Sequence, residues 1–348
     1  MKRKVVLASR NADKVRELQQ VFTGLDFDVL SSADFPGLPE VIEDGTTTVD
    51  NARRKAIITA AYTGEIAVAD DTSLEIRELN GFPDIFAARF SGPDATYRSN
   101  LELVLDLMQD VPAGSRQARF GTACAWVDPR PEKNDYQAER PAFSRWLRNP
   151  WERSIGIRDT DKEWDFWNGL MDRRRVWGNY RRQMELDQVT WGHDRSRLLE
   201  ISEGLFRSCP DALRPGENLE ASGQEQGVRL PDTRIWAVES PATGYSPLTE
   251  VAPSGLPADA PGREVNGPYW FEMATEGKIL GDITTEPIGV LGFGYDPIFR
   301  PEGELRTLAE MPAAEKHAIS HRGRAMRRLL TAVRETYGLE KVAAVPRG

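Results

Sequence analysis

The sequence predicts an α/β protein, and three observations carry that prediction. Short apolar runs alternate with stretches of helical period through residues 1–127, the texture breaks at Asp128, and the alternation returns from about residue 265.

The elements follow in order. KVVLAS (4–9) reads as a strand, and NADKVRELQQVF sets Val15, Leu18, Val21 and Phe22 on one helical face. VDNARRKAIITAAY (49–62) is a second helix with Asp50 as a candidate N-cap, and the strand EIAVAD follows it. Leu101, Val104, Leu105 and Met108, behind a candidate cap at Ser99, predict a third helix, and ARFGTACAWV (118–127) a long strand. Residues 129 to about 262 differ: seven of the nine tryptophans lie here among Arg-rich helical stretches such as WDFWNGLMDRRRVWGNYRRQMEL. The loop-like SPATGYSPLTEVAPSGLPADAPG closes the segment. PYWFEMA is then a strand, GVLGFGYDP a glycine-rich loop, and a final helix from Ser320 carries Met326, Leu329, Leu330 and Val333. The pattern predicts one domain, residues 1–128 and 265–348, interrupted at a strand-to-strand connection by an insertion over 129–264.

Composition narrows the classes. A chain of 348 residues buries an ample core, and a net charge of -9 leaves any anionic ligand to a local basic cluster, so a nucleic-acid partner is not expected. There is no apolar run of about 18 residues, and MKRKVVLASRN lacks the apolar core of a signal peptide; neither membrane nor secretion is expected, and the cytoplasm is. Cys124 and Cys209 stand far apart, which excludes a disulfide framework or cysteine zinc site and leaves two buried thiols.

Three clusters carry candidate chemistry. In AVADDTSL an apolar strand runs into Asp70 and Asp71, a doublet that is costly unless a cation or proton settles it. A magnesium ion would, with Glu43 in the loop before the second helix as a third carboxylate; the alternative is a turn cap at Asp70 and a solvated Asp71. Ser9, Asn11 and Lys14 stand at a strand-to-helix junction, where free N–H groups favour a phosphate, and Lys55 opens the second helix; each is also an ordinary cap or surface residue. In GFGYDPIFRP and EKHAISHRGRA, Phe293 offers a ring for a base, and Lys316, His321 and Arg322 concentrate donors near a helix start, with His321 alternatively a cap. Neither a dinucleotide fingerprint nor a P-loop is present.

Taken in order, LASRNADKVREL, EDGTTTVDNARRKA, VADDTSLEI, LNGFPDIFAARFSG, GFGYDPIF and KHAISHRGRA resemble the inosine/xanthosine triphosphate pyrophosphatase family. The resemblance covers residues 1 to about 128 and 265 to 338. It implies an elongated α/β fold with a long, bent mixed sheet, a homodimer, a magnesium requirement, and hydrolysis of ITP, dITP and XTP to monophosphate and pyrophosphate. It implies Asp71 as the catalytic carboxylate with Asp70 beside it, and Glu43, Asp70 and Asp71 at the metal. Ser9, Asn11, Lys14 and Lys55 would hold the triphosphate. Phe293 and Asp296 would form the base and sugar pocket, where Lys316, His321 and Arg322 read a 6-oxo purine by donating hydrogen bonds to it.

The chain departs from that pattern at Ser73 and Asp84, which stand for glycines, at Ala87, which stands for a serine, and at Ser9, which stands for a threonine. If the glycine position at Ser73 needs positive φ, strain is expected there. Two rival classes are a nucleotide-binding protein whose insertion carries the function, and a Maf-like pyrophosphatase of modified pyrimidine nucleotides. The insertion's tryptophans and arginines are compatible with single-stranded RNA, yet its arginines alternate with Asp and Glu, which favours a small core or packing on the parent domain.

Overall fold

The computed structural model describes residues 2–23, 25–43, 45, 47–129, 196–207, 246–247 and 269–337. Strands β1 (Arg3–Leu7), β2 (Phe27–Ser31), β3 (Ile66–Ile76), β4 (Pro83–Asp84), β5 (Gln117–Asp128), β6 (Ser246–Pro247), β7 (Tyr269–Ile283) and β8 (Phe299–Pro301) form one mixed sheet. Its order is β2-β1-β3-β5-β7-β6, with β4 added to β3 and β8 to β7. The helices are α1 (Ala12–Phe22), α2 (Thr48–Thr63), α3 (Tyr97–Leu107), α4 (Ser196–Arg207), α5 (Ala313–Ile319) and α6 (His321–Tyr337).

β3 joins two kinds of pairing. It runs parallel to β1 only over Ile66–Val68, then continues antiparallel to β5 as far as Ile76↔Ala118. The expectation that a strand ends at the Asp70–Asp71 doublet is therefore corrected: β5 bonds the backbone past both residues, so the carboxylates lie in mid-strand. They sit just beyond the end of the parallel segment, where open sheets leave room for ligands. β7 likewise outruns PYWFEMA, because β5 pairs with it from Asp128↔Phe271 to Gln117↔Asp282.

Strand alternation divides the core between the two faces of the sheet. Leu7, Val68, Cys124 and Trp126 pack with Leu18 and Phe22 of α1 and Met326, Leu329 and Val333 of α6. Ala67, Ala69, Ala123 and Ala125 pack instead on Ala52, Ala56 and Ala60 of α2, where small side chains let the helix lie close to the strands. A third cluster builds the far wing from Leu74, Phe82, Phe86, Phe120 and Phe299 with Leu101 and Val104 of α3. Leu198 and Leu205 of α4 join this cluster, and Arg197 pairs with Asp106 of α3.

Two caps differ from expectation. Thr47, not Asp50, caps α2: its hydroxyl accepts the Asp50 N–H at 3.1 Å and donates to the Asp50 carboxylate at 2.8 Å. Thr96, not Ser99, caps α3, and Ser99 answers as the third residue of a reciprocal box. Each candidate is polar and sits in the right turn, but only the residue three positions earlier leaves the helical backbone conformation. Cys124 is buried as expected; Cys209, the Trp/Arg-rich helical stretches and the Pro/Gly segment (apart from Ser246–Pro247) lie outside the described residues. Among the described residues no helix is long and apolar enough to cross a membrane.

Candidate active site

Consecutive strand residues point to opposite faces, and β3 uses this to separate its two aspartates. Asp70 shares the face of Val68 and meets α1 and α6: its Oδ2 lies 3.2 Å from Lys14 Nζ and 3.1 Å from Arg322 Nε. Asp71 shares the face of Ala69 and meets α2: its Oδ1 lies 2.8 Å from Lys55 Nζ, which also reaches Glu43 Oε2 at 3.1 Å. Glu43, Asp70 and Asp71, the expected metal carboxylates, are each held here by lysine or arginine side chains. Glu43 and Asp71 converge on Lys55, while Asp70 pairs with Lys14 and Arg322.

The electrostatics diverge accordingly. Burial pushes the Asp71 carboxyl up to about 7, the Glu43 charge adds to the rise, and Lys55 opposes it. Burial would also raise Glu43, but Lys55, a hydrogen bond from Asp71 and the Lys14 charge together outweigh it and hold Glu43 at about 2. Asp70 is likewise buried, yet Lys14 and Arg322 keep it well below the usual carboxylate range. One oxygen on each aspartate, Asp70 Oδ1 and Asp71 Oδ2, is buried with no hydrogen-bond partner among the described residues. Asp71 is thus a carboxylate poised between protonation states at neutral pH, which suits a general base.

The Phe293 end of the site is built on the loop before β8. Lys316 Nζ and the Arg322 guanidinium lie 4.9 and 5.1 Å from the centre of the Phe293 ring. Asp296 anchors this loop from beneath, accepting the Phe293 N–H at 2.8 Å and Lys316 Nζ at 2.6 Å. Gly292, at φ 75°, is required there, since a Cβ would collide with the Asp296 carboxylate. The ring of His321 stacks on Phe120 at 4.2 Å and 12°, and burial keeps it neutral, with its Nδ1 unpartnered. Ser320, rather than His321, accepts the Gly323 N–H at the start of α6.

Ser9 is engaged locally, and Asn11 both locally and with the Tyr97 hydroxyl. Ser9 Oγ accepts the Asn11 N–H at 3.2 Å, and Asn11 Oδ1 caps α1 by accepting from Asp13 and Lys14. Their side chains still border the end of β1, from which Lys14 reaches Asp70.

Sequence reasoning missed Glu17, Thr72 and Tyr97. Glu17 bridges Lys316 Nζ at 3.0 Å and Arg322 Nη1 at 2.7 Å, joining α1 to the C-terminal segment. Its spacing of three from Lys14 on an amphipathic helix was the available signal. Thr72 Oγ1 accepts from Arg322 Nη2 at 3.2 Å, as the same-face neighbour of Asp70. Tyr97 carried no signal beyond being an aromatic at a helix start. Strain falls elsewhere than expected: Ser73 sits in regular β3 without a positive φ, whereas Asp84 has φ 51°. That explains the glycine of the family pattern at position 84, and Asp is among the side chains that tolerate the left-handed region.

Magnesium can be tested against these residues. Among the described residues no three His, Cys, Asp or Glu groups form a cage. Glu43 and Asp71 nevertheless present two carboxylates around one ammonium, with Asp71 Oδ2 unpartnered. Magnesium typically takes one or two carboxylates and completes its shell with water and substrate phosphate, so the pair fits.

Fold and site together define an α/β protein in which a near-neutral carboxylate, two lysines and an arginine-backed aromatic ring gather about the middle of β3. The chain belongs to the Ham1 family, whose profile matches residues 5–140 and 269–332. It is similar to the dITP/XTP pyrophosphatase of Streptomyces avermitilis, 26% identical over 337 residues that cover 96% of this chain and 99% of that protein. The dITP/XTP pyrophosphatase of Desulforamulus reducens is 42% identical over 126 residues, 36% of this chain, which spans 63% of that relative's length. A HAM1 protein from Coxiella burnetii, of solved structure, aligns with a TM-score of 0.50 at 22% identity, covering 96% of this chain and 99% of that one; the two share the fold.

Proposed function

We propose that this protein hydrolyses non-canonical purine nucleoside triphosphates, ITP, dITP and XTP, to the monophosphate and pyrophosphate. The observation that carries this reading is Asp71, a buried carboxylate raised to about 7 and set beside Lys55 and Glu43. The names of the relatives and membership of the Ham1 family support the same substrate class.

In this mechanism Lys14 and Lys55 attract the triphosphate, and Asp71 accepts the proton of a water that adds across the α–β anhydride bond. The two lysines stabilise the charge that collects on the departing pyrophosphate. Glu43 and Asp71 would hold magnesium, which when bound supplies Lewis-acid polarisation of the phosphates. Charge favours that requirement. Lys14, Lys55, Lys316 and Arg322 already face Glu17, Glu43, Asp70, Asp71 and Asp296, so a triphosphate enters without excess protein cation to neutralise it. Phe293 stacks the base, and Lys316, Arg322 and neutral His321 select a 6-oxo purine edge. The set of basic residues around Asp71 speaks against a pure binding module, which has no use for a near-neutral carboxylate.

The same reading includes a cytoplasmic homodimer and an insertion over 129–264. The direct pairing of β5 with β7 supports the insertion, because the sheet is continuous across it. The testing experiment is pyrophosphate release from dITP, XTP, dGTP and dATP, with and without magnesium. Release from dITP and XTP that EDTA abolishes is expected; no release from any of the four by folded protein overturns the reading.

A further inference from the structure

Tyr97 opens α3 and is 44% exposed, whereas Tyr62 and Tyr295 are 8% and 5% exposed. Its ring centre lies 5.7 Å from that of Phe293, tilted by 31°, and its hydroxyl accepts a hydrogen bond from Asn11 Nδ2. The helix start beneath it is firmly held. Thr96 and Ser99 form a reciprocal cap, Ser91 N–H donates to Asn100 Oδ1 at 2.8 Å, and Asn100 Nδ2 donates to the Ala88 carbonyl at 3.0 Å. The ring is therefore held in a fixed place, so little ordering cost would attend a contact made on it.

Tyr97 also spans the cleft. Asn11 stands at the phosphate end, next to Lys14, and Phe293 at the base end, under Lys316 and Arg322. In a nucleotide, the sugar lies between those two ends. We propose that Tyr97 is a nucleoside-contact residue, packing its ring over the sugar–base junction of the bound purine nucleotide and completing with Phe293 an aromatic cleft. The inference rests on the pyrophosphatase reading. The ring carries the contact; the hydroxyl, tied to Asn11, sets its angle. An aromatic contact of this kind is worth up to roughly a tenfold change in affinity.

The test compares Tyr97→Phe, Tyr97→Leu and Tyr97→Ala with the parent protein, measuring kcat and KM for dITP and, separately, inhibition by inorganic tripolyphosphate, which has no nucleoside. The expected result is KM within about twofold for Tyr97→Phe and raised roughly tenfold for Tyr97→Ala, with Tyr97→Leu between them. In each variant kcat and tripolyphosphate inhibition hold. Unchanged KM in Tyr97→Ala overturns the proposal. So does a parallel loss of dITP and tripolyphosphate affinity, which assigns Tyr97 to support of Asn11 instead. A parent protein that turns over no purine triphosphate overturns the pyrophosphatase reading itself, whereas an active parent with an indifferent Tyr97→Ala overturns the nucleoside contact alone.

Discussion

Asp70 and Asp71 are adjacent in the chain and lie on opposite faces of β3, the first clamped by Lys14 and Arg322 and the second by Lys55. Two like charges side by side are tolerated because the pleat gives each its own nearest cations, within a cluster whose lysines act on both. Their roles divide with the faces: Asp70 ties α1 and α6 to the sheet, and Asp71 carries a titratable oxygen.

Asn substitutions separate those roles. Asp71→Asn keeps the shape and removes the base, so pyrophosphate release from dITP is expected to fall about 10²–10⁴-fold with the melting temperature retained. Asp70→Asn leaves Lys14 and Arg322 without their shared carboxylate, and a loss of about 3–5 kcal/mol in urea unfolding is expected. Full activity in Asp71→Asn would sink the mechanism.

Asp71 also sets a pH dependence. With its carboxyl raised to about 7, kcat/KM at limiting magnesium should rise with pH through about 7, and the rise should move to lower pH as magnesium saturates, because metal and proton compete for the same oxygens. Stability carries the opposite sign. Between the ordinary carboxylate range and pH 7 the folded state holds a proton that the unfolded state has lost, so this group makes stability decline as pH rises through that window. Glu43, held at about 2, contributes stability that is present above the ordinary range and lost as pH falls toward 2. Thermal unfolding of the parent and Asp71→Asn from pH 4 to 8 measures the difference: the variant should lack the decline.

Glu17 holds Lys316 and Arg322 in place from α1. Burial would raise its carboxyl, but Arg322 and Lys316 outweigh it and hold it below the ordinary range. Glu17→Gln should raise KM for dITP about tenfold while kcat changes little, since two donors at the base lose their fixed orientation by roughly 1–3 kcal/mol. Steady-state kinetics with dITP and dGTP checks this, and selectivity between them should narrow.

Gly292 and Gly294 both have positive φ, at 75° and 65°, yet only Gly292 faces an obstacle, the Asp296 carboxylate. Gly294→Ala is expected to cost only the backbone term, about 1–2 kcal/mol. Gly292→Ala should cost more and also raise KM, because Asp296 must move and takes Phe293 and Lys316 with it. Equal costs for the two would show that the carboxylate yields freely.

The sequence by itself determined the α/β class, the six motif blocks and nearly every residue that meets in the cleft, because helical and strand periods and local polar patterns are written in neighbouring residues. It set the doublet at a strand end and placed two caps three residues late, since hydrogen-bonding across to β5 and the backbone angles at Thr47 and Thr96 are not properties of a short window. Tertiary structure alone decided which face each aspartate takes and that Glu17 meets Lys316 and Arg322, some 299 and 305 positions away. A period of two tells that neighbours diverge, but which cations await them depends on the helices packed on each face. Burial raises both carboxyls; Lys14 and Arg322 overcome it at Asp70, whereas at Asp71 the Glu43 charge adds to it against Lys55, so neighbouring charges rather than residue type set the two apart.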